Sequence, residues 1–300
     1  MNRREYLYRM AAVGMLPALS SWMSMDNGLI RRRIPGTRES VTAIGVGTWE
    51  TFDVDSSLTQ ELEPLREVLT IFASKGGNVI DTSPMYGFAE RNVGTLSTEA
   101  GINSQLFIAT KVWTSGRENG IAQMKESLQL LKRNKIDLMQ IHNLVDWKTH
   151  LKTLREWKEK GTIRYIGITH YRENAYPEME SIMKSESIDF IQVNYNVADR
   201  KAADRLLPLA AEKGIGVIIS QPFGYGRLFE RVKSKALPEW AGEFDCRSWA
   251  QFFLKYIISH PAVTCAIPGT GLPAHMLDNI QAAYGRLPDE AMRERMVKAI

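Results

Sequence analysis

The sequence is poor in the residues that mark several common functions. It carries 2 cysteines in 300 residues, Cys246 and Cys265. They form no metal-binding spacing, and nothing around them argues for a disulfide bond. A cysteine-ligated metal centre and a disulfide-stapled scaffold are set aside on that ground. Net charge is only +4, part of it in arginines near the N-terminus, and no basic stripe follows, which speaks against a nucleic-acid binder. The apolar stretch near the N-terminus, Met10 to Leu19, is too short for a membrane-spanning helix, which needs about 20 residues. No Gly-x-Gly-x-x-Gly follows the first expected strand, as a doubly wound dinucleotide-binding sheet would want. Disorder is set aside too, because 44% hydrophobic against 24% charged residues leave ample material for a core.

The first 25 residues stand apart from the rest. Asn2-Arg3-Arg4-Glu5-Tyr6-Leu7 sets paired arginines before the Met10 to Leu19 stretch, and Ser20 and Ser21 follow. That is the order of a bacterial export leader, and the adjacent arginines point to the twin-arginine route. The expectation is a leader over residues 1–25, recognised by export machinery, and a periplasmic protein of one domain over residues 26–300. A small-x-small cleavage site is lacking, so the leader is compatible with a retained anchor. The competing interpretation is a short amphipathic helix on a cytoplasmic protein.

Beyond the leader the chain alternates. Arg31 to Pro35 and Val41 to Thr42 read as a β-hairpin, with the three arginines as a solvated run. Ala43 to Gly47 then reads as the first of eight strands. The others are Asn78 to Ile80, Leu106 to Thr110, Ile136 to Ile141, Tyr165 to Ile168, Phe190 to Val193, Gly216 to Ile219 and Thr264 to Ile267. Helical periodicity fills the gaps, from Thr59 to Ser74 through Pro273 to Ala283, with a last helix near Asp289 to Lys298. Strict alternation with near-continuous apolar strands implies a parallel sheet covered by helices. Right-handed crossovers then permit closure into a (β/α)8 barrel, capped by the N-terminal hairpin. An open doubly wound sheet is the runner-up.

Three successive strands end on ionisable side chains, Asp81, Lys111 and His142, and Tyr86 follows Asp81 by five positions. A carboxylate at the inner end of an apolar strand is costly without a partner. Parallel neighbouring strands would bring the three ends together, where sites of parallel barrels lie. Any one of them alone is more simply a strand end reaching the surface; the set points to a site.

The sequence resembles the aldo-keto reductases. The resemblance is carried by Gly47-Thr48-Trp49, by Asp81-x-x-x-x-Tyr86-Gly87 followed by Glu90 and Gly94, by Thr110-Lys111-Val112-Trp113, and by Ser127-Leu128 through Ile136-Asp137-Leu138 to His142. It extends from about Ile34 to about Asn279. It implies an NAD(P)H-dependent reductase of aldehydes or ketones, with hydride from a nicotinamide cofactor. Tyr86 would be the acid, its pKa lowered by the Lys111 ammonium, which Asp81 holds; His142 would orient the carbonyl. Trp49 would stand beside the substrate carbonyl and the nicotinamide, and Phe88 and Trp113 would help form an apolar substrate wall.

For the cofactor, the resemblance implies Thr48, Thr169, His170 and Gln192 around the nicotinamide. Ser220 stands where the family often has a stacking aromatic. Pro222, Phe223, Gly224 and Arg227 would approach the pyrophosphate, a plain flexible turn being the competing interpretation there. Pro268, Gly269, Thr270, His275, Asp278 and Asn279 would meet the adenosine end. NADP is the expected cofactor. The family's usual cations are absent at Gly269 and His275, which favours some tolerance of NAD. No metal is expected. The alternative is a non-turnover module of the same fold that binds the cofactor as a sensor or scaffold.

Overall fold

The computed structural model describes residues 25, 26, 28–55 and 57–300. Apart from Met25, the expected leader lies outside the described residues. Three short strands come first: β1 (Met25–Asp26), β2 (Leu29–Arg33) and β3 (Ser40–Thr42). They form an antiparallel sheet in which Arg31 stands opposite Thr42 and Arg33 opposite Ser40. The expected hairpin is therefore present, extended by one strand. Its arginines do more than meet solvent: Arg32 Nη2 donates to Ile258 O at 2.8 Å and Arg31 Nη2 to Gly76 O at 3.1 Å. These bonds tie the hairpin to the body. The Thr42 backbone N–H donates to Asn78 Oδ1 at 3.0 Å, just ahead of the first long βα unit, so the hairpin sits at the amino end of the main sheet.

The main sheet has eight parallel strands in sequential order. They are β4 (Val46–Gly47), β5 (Val79–Asp81), β6 (Phe107–Val112), β7 (Ile136–His142), β8 (Ile163–Thr169), β9 (Phe190–Asn194), β10 (Gly216–Ser220) and β11 (Cys265–Ala266). Parallel bridges from Ile44 to Ala266 and from Gly47 to Gly269 join its two ends. Bonds from Gly45 N to Ala266 O (2.8 Å) and from Gly47 N to Pro268 O (3.1 Å) reinforce the junction. The sheet therefore curls until its first and last strands meet.

Strand side chains alternate between faces, and the core divides accordingly. Phe107, Ala109, Leu138, Tyr165, Phe190 and Ile218 belong to an inner cluster, to which Ile34 and Val41 of the hairpin region add a plug. Ile108, Val112, Met139, Ile141, Ile166 and Ile191 belong to the outer cluster, shared with the helices. Both faces are apolar, which is why the strands read as unbroken hydrophobic runs.

Helices α1 (Thr59–Ser74), α2 (Ala89–Glu99), α3 (Arg117–Leu130), α4 (Trp147–Glu159), α5 (Tyr176–Ser185) and α6 (Ala202–Lys213) follow β4 to β9 in turn. After β10 come a short α7 (Arg227–Val232), a 3-10 turn (Glu239–Phe244) and α8 (Trp249–Ile258); α9 (Pro273–Gln281) and α10 (Glu290–Ala299) complete the chain. Neither α7 nor the 3-10 turn is legible from hydrophobic periodicity, since each spans only six residues. Gly94 lets α2 approach α3, because a Cβ there would strike the Leu130 carbonyl oxygen. No helix among the described residues is long and apolar enough to cross a membrane.

Candidate active site at the carboxyl end of the sheet

The inner-face register carries polar residues as it nears the carboxyl ends of the strands. On β6, Phe107 and Ala109 face inward, and two residues further on so does Lys111. On β7 the inward series runs Leu138, Gln140, His142, and on β5 it runs Val79, Asp81. Asp81 and Lys111 are almost fully buried, at 2% and 1% exposure. Lys111 Nζ donates to Asp81 Oδ1 at 2.7 Å and to Thr82 O at 2.8 Å. The Asp81 carboxylate also accepts from Gln140 Nε2 (3.1 Å) and Gln192 Nε2 (3.2 Å). A buried ion pair survives desolvation only with such additional bonds. Burial alone would push the Lys111 ammonium down, but Asp81 and Tyr86 outweigh it and hold its pKa above the ordinary lysine value.

Tyr86 sits on the turn after β5. Its N–H donates to Ser83 O at 3.0 Å, and its own carbonyl accepts from Ala89 N at 3.0 Å. Gly87 continues at φ +55°, and a Cβ there would collide with the Asp53 carboxylate. This turn brings the half-buried phenol ring within 5.0 Å of Lys111 Nζ, measured to the ring centroid. The ring lies edge-on to His142, with centroids 5.9 Å apart. Burial pushes the Tyr86 phenol up, and Lys111 offsets only part of that push. The expectation of a net lowering is thus corrected. The ammonium pulls in the expected direction, but desolvation of a phenolate in this cup is the larger effect.

His142 is held neutral: burial, with Lys111 and His170 adding to it, brings its pKa down to about 2. Its Nδ1 lies 3.2 Å from Ser83 Oγ. Two polar atoms beside this cluster, Thr82 Oγ1 and Gln140 Oε1, are buried without a hydrogen-bond partner among the described residues.

Above the cluster opens a cavity of about 630 Å³. Asp81, Tyr86, Lys111 and His142 all line it, as do Thr48, Trp49, Trp113, Thr169, Gln192, Ser220, Pro222, Phe223 and Gly269. A second hollow of about 380 Å³ adjoins it and shares Phe223 and Gly269; there Thr270, His275, Asp278 and Asn279 come together. The Asp278 carboxylate is engaged by Ser248 Oγ at 2.7 Å and Gln251 Nε2 at 2.6 Å.

Five expected residues are not among those lining either space: Phe88, His170, Gly224, Arg227 and Pro268. Phe88 caps the start of α2, its N–H bonded to Asp53 Oδ1 at 2.9 Å. His170 stacks on Tyr171, and its Nδ1 accepts from Arg172 N at 3.0 Å. Arg227 opens α7 with its guanidinium 5.6 Å from the Tyr225 ring centroid. Gly224 serves the turn, bonded to Gln221 O at 2.9 Å, and Pro268 O accepts from Gly47 N at the sheet junction.

Several lining residues escaped sequence reasoning. Met85, Tyr171 and Tyr225 rim the main cavity, and Phe229, Ser248 and Trp249 line the second hollow. Tyr225, at φ +58°, meets Trp49 edge-to-face with centroids 5.4 Å apart. Gln140 was legible in principle, since it precedes His142 by two on the same strand and therefore shares its face.

Fold and candidate site together describe an α/β protein with a polar cluster and cavity at the carboxyl ends of a curled parallel sheet. Within that class the chain belongs to the aldo/keto reductase family, whose sequence model matches residues 43–297. It is 27% identical over 312 residues to the uncharacterized oxidoreductase YqkF of Bacillus subtilis, covering 90% of this chain and 95% of that protein. It is 27% identical over 247 residues to the methylglyoxal reductase YeaE of Escherichia coli, covering 80% of this chain and 84% of that one. Among solved structures, a thermostable aldo-keto reductase bound to the inhibitor epalrestat superposes with TM-score 0.75 at 27% identity, covering 91% of this chain and 100% of that one. An aldo/keto reductase from Klebsiella pneumoniae with NADP and acetate gives 0.73 at 25% identity, covering 89% and 95%.

Proposed function

We propose that the protein is an NADPH-dependent reductase of aldehydes or ketones. The observation that carries this is the buried Lys111 ammonium, 2.7 Å from Asp81 and 5.0 Å from the Tyr86 ring centroid, at the base of an open cavity. A relative named methylglyoxal reductase and a neighbour bound to NADP support it. We read the curled sheet as the closed (β/α)8 barrel, supported by the bridges between its end strands.

The residues fit a nicotinamide dinucleotide. The two adjoining hollows, about 630 and 380 Å³, are of the size of small-molecule sites. When bound, the cofactor supplies the hydride. Thr48, Thr169 and Ser220 would face the nicotinamide, and Thr270, His275 and Asn279 the adenosine end. Gln192 is already committed to Asp81 and Gln140, so it also serves to orient the carboxylate. Among the described residues no lysine or arginine lines the second hollow, which supports NAD as an accepted second cofactor.

In this reading Tyr86 donates its hydroxyl proton to the carbonyl oxygen as that oxygen gains charge. A phenol is a weak acid at neutral pH, and Lys111 stabilises the phenolate left behind. Asp81 keeps Lys111 charged and fixed. With Nδ1 accepting from Ser83, His142 presents Nε2–H to the carbonyl oxygen. Trp49, Met85 and Trp113 keep water away and offer an apolar wall.

Tyr86→Phe should abolish reduction of an aldehyde panel while leaving NADPH binding, read by fluorescence titration, within about twofold of wild type. Turnover retained in that variant would refute the acid role. Binding of the cofactor with no turnover by the wild type on any carbonyl would favour the sensor instead.

The order of paired arginines, apolar stretch and polar residues at the N-terminus supports export of a folded single domain, residues 26–300, to the periplasm. Cell fractionation of the full chain beside an Arg3→Lys, Arg4→Lys variant tests this. Periplasmic protein that disappears in the variant is the expected result, and a wild-type chain found only in the cytoplasm defeats it.

A further inference from the structure

Behind β6, on the face away from the cavity, lies a carboxyl group that the proposed mechanism does not use. Glu90 is the second residue of α2 and is 1% exposed. Its partners are neutral: Thr110 Oγ1 donates to Oε1 at 2.5 Å, and Ser127 Oγ to Oε2 at 3.1 Å. No salt bridge reaches it among the described residues. A buried acid without a counter-ion is expensive to ionise, yet three elements are arranged around this one. Glu90 belongs to the helix that follows the Tyr86 turn, Thr110 to the strand bearing Lys111, and Ser127 to α3.

Thr110 and Lys111 are consecutive on β6, so their side chains leave opposite faces of the strand. Glu90, bonded to Thr110, and Asp81, bonded to Lys111, therefore lie on opposite faces of the sheet. The charged groups around the Glu90 carboxyl are Lys111 on β6 and Glu126 on α3. From α1, Arg66 pairs with Glu99 at the other end of α2, at 2.7 Å. Burial pushes the Glu90 carboxyl up to about 7, against the pull of the two hydroxyls and Lys111.

We propose that Glu90 is a positioning residue for the Tyr86–Lys111 pair: its carboxyl pins the start of α2 to β6 and, by its charge, modulates proton donation by Tyr86. The proposal rests on the reductase reading above. Proton donation leaves negative charge on the phenol oxygen. A neutral Glu90 tolerates that charge, and an ionised one opposes it. Carbonyl reduction should therefore slow as pH rises through neutrality.

The test uses the full chain as wild type, Glu90→Gln and Glu90→Ala. Glutamine can keep both hydroxyl contacts while removing the ionisation, whereas alanine removes the tie. Wild-type kcat should fall on the order of tenfold across neutral pH, the scale of a charge interaction inside a protein. E90Q should show no such step, and E90A should show a lower kcat at every pH with KM nearly unchanged. An E90Q profile that keeps the step overturns the proposal, as does an E90A enzyme with wild-type kcat and profile.

A second readout does not depend on turnover. Difference infrared spectroscopy of wild type against E90Q should reveal a protonated carboxyl band that titrates near neutrality. Absence of that band overturns the proposal by itself. A wild type that reduces no carbonyl but shows the band would sink the reductase function and leave the ionisation of Glu90 intact. Where E90A does not fold, the E90Q profile and spectrum decide.

Discussion

His142 shows how burial changes what a side chain can do. An ordinary histidine is half protonated near neutral pH. This one, with burial and then Lys111 holding its pKa near 2, stays a neutral imidazole throughout the working range and can act as a hydrogen-bond donor without carrying charge. The linkage has a definite sign. Because the folded pKa lies below the unfolded one, the contribution to stability is complete above about pH 6.5 and is lost as pH falls toward 2. Each pH unit in that window costs about 1.4 kcal/mol. His142→Gln should therefore unfold with a shallower decline in melting temperature between neutral and mildly acidic pH. Parallel declines in the two proteins would mean the native imidazole takes up protons as freely as the unfolded one.

The same scale shows which site residues are legible in a sequence. Asp81, Lys111 and His142 are conspicuous because a charge or an imidazole ends an apolar run. Gln140 and Thr82 sit in the same cup and attract no notice, because a neutral polar residue in a strand is unremarkable until its neighbours are known. Phe88 is the opposite case. Its closeness to Tyr86 in sequence suggests the substrate wall, but the bond from its N–H to Asp53 fixes it as the first residue of a helical turn, and its ring does not line the cavity.

At the scale of elements, the strand–helix alternation was legible almost throughout, since both sheet faces are buried and the runs are long. The segment between β10 and α8 was not. It has five residues of positive φ, Gln221, Gly224, Tyr225, Gly226 and Asp245, and two six-residue helical pieces, and such local geometry leaves no periodic trace. The return to regular structure is marked by Ser248, whose Oγ accepts from Gln251 N at 3.1 Å and donates to Asp278 on α9. It caps α8 and also braces one wall of the second hollow. Ser248→Ala should cost about 1 kcal/mol, read as a melting temperature lower by roughly 2–4 °C. It should also weaken cofactor binding, because Asp278 loses one of its two tethers. A variant with unchanged melting temperature would show the cap to be unimportant.

For the whole molecule the informative feature is the seam where Gly45 and Gly47 bond to Ala266 and Pro268. One side of it is made near the start of the folded chain and the other near its end. Translation must therefore run almost to completion before the earliest strand of the ring gains its second neighbour. Until then it offers bare amide and carbonyl groups to any passing polypeptide. A stop codon anywhere upstream of Cys265 would leave that edge permanently open, so shortened products should precipitate or be degraded rather than survive as weaker versions of the whole.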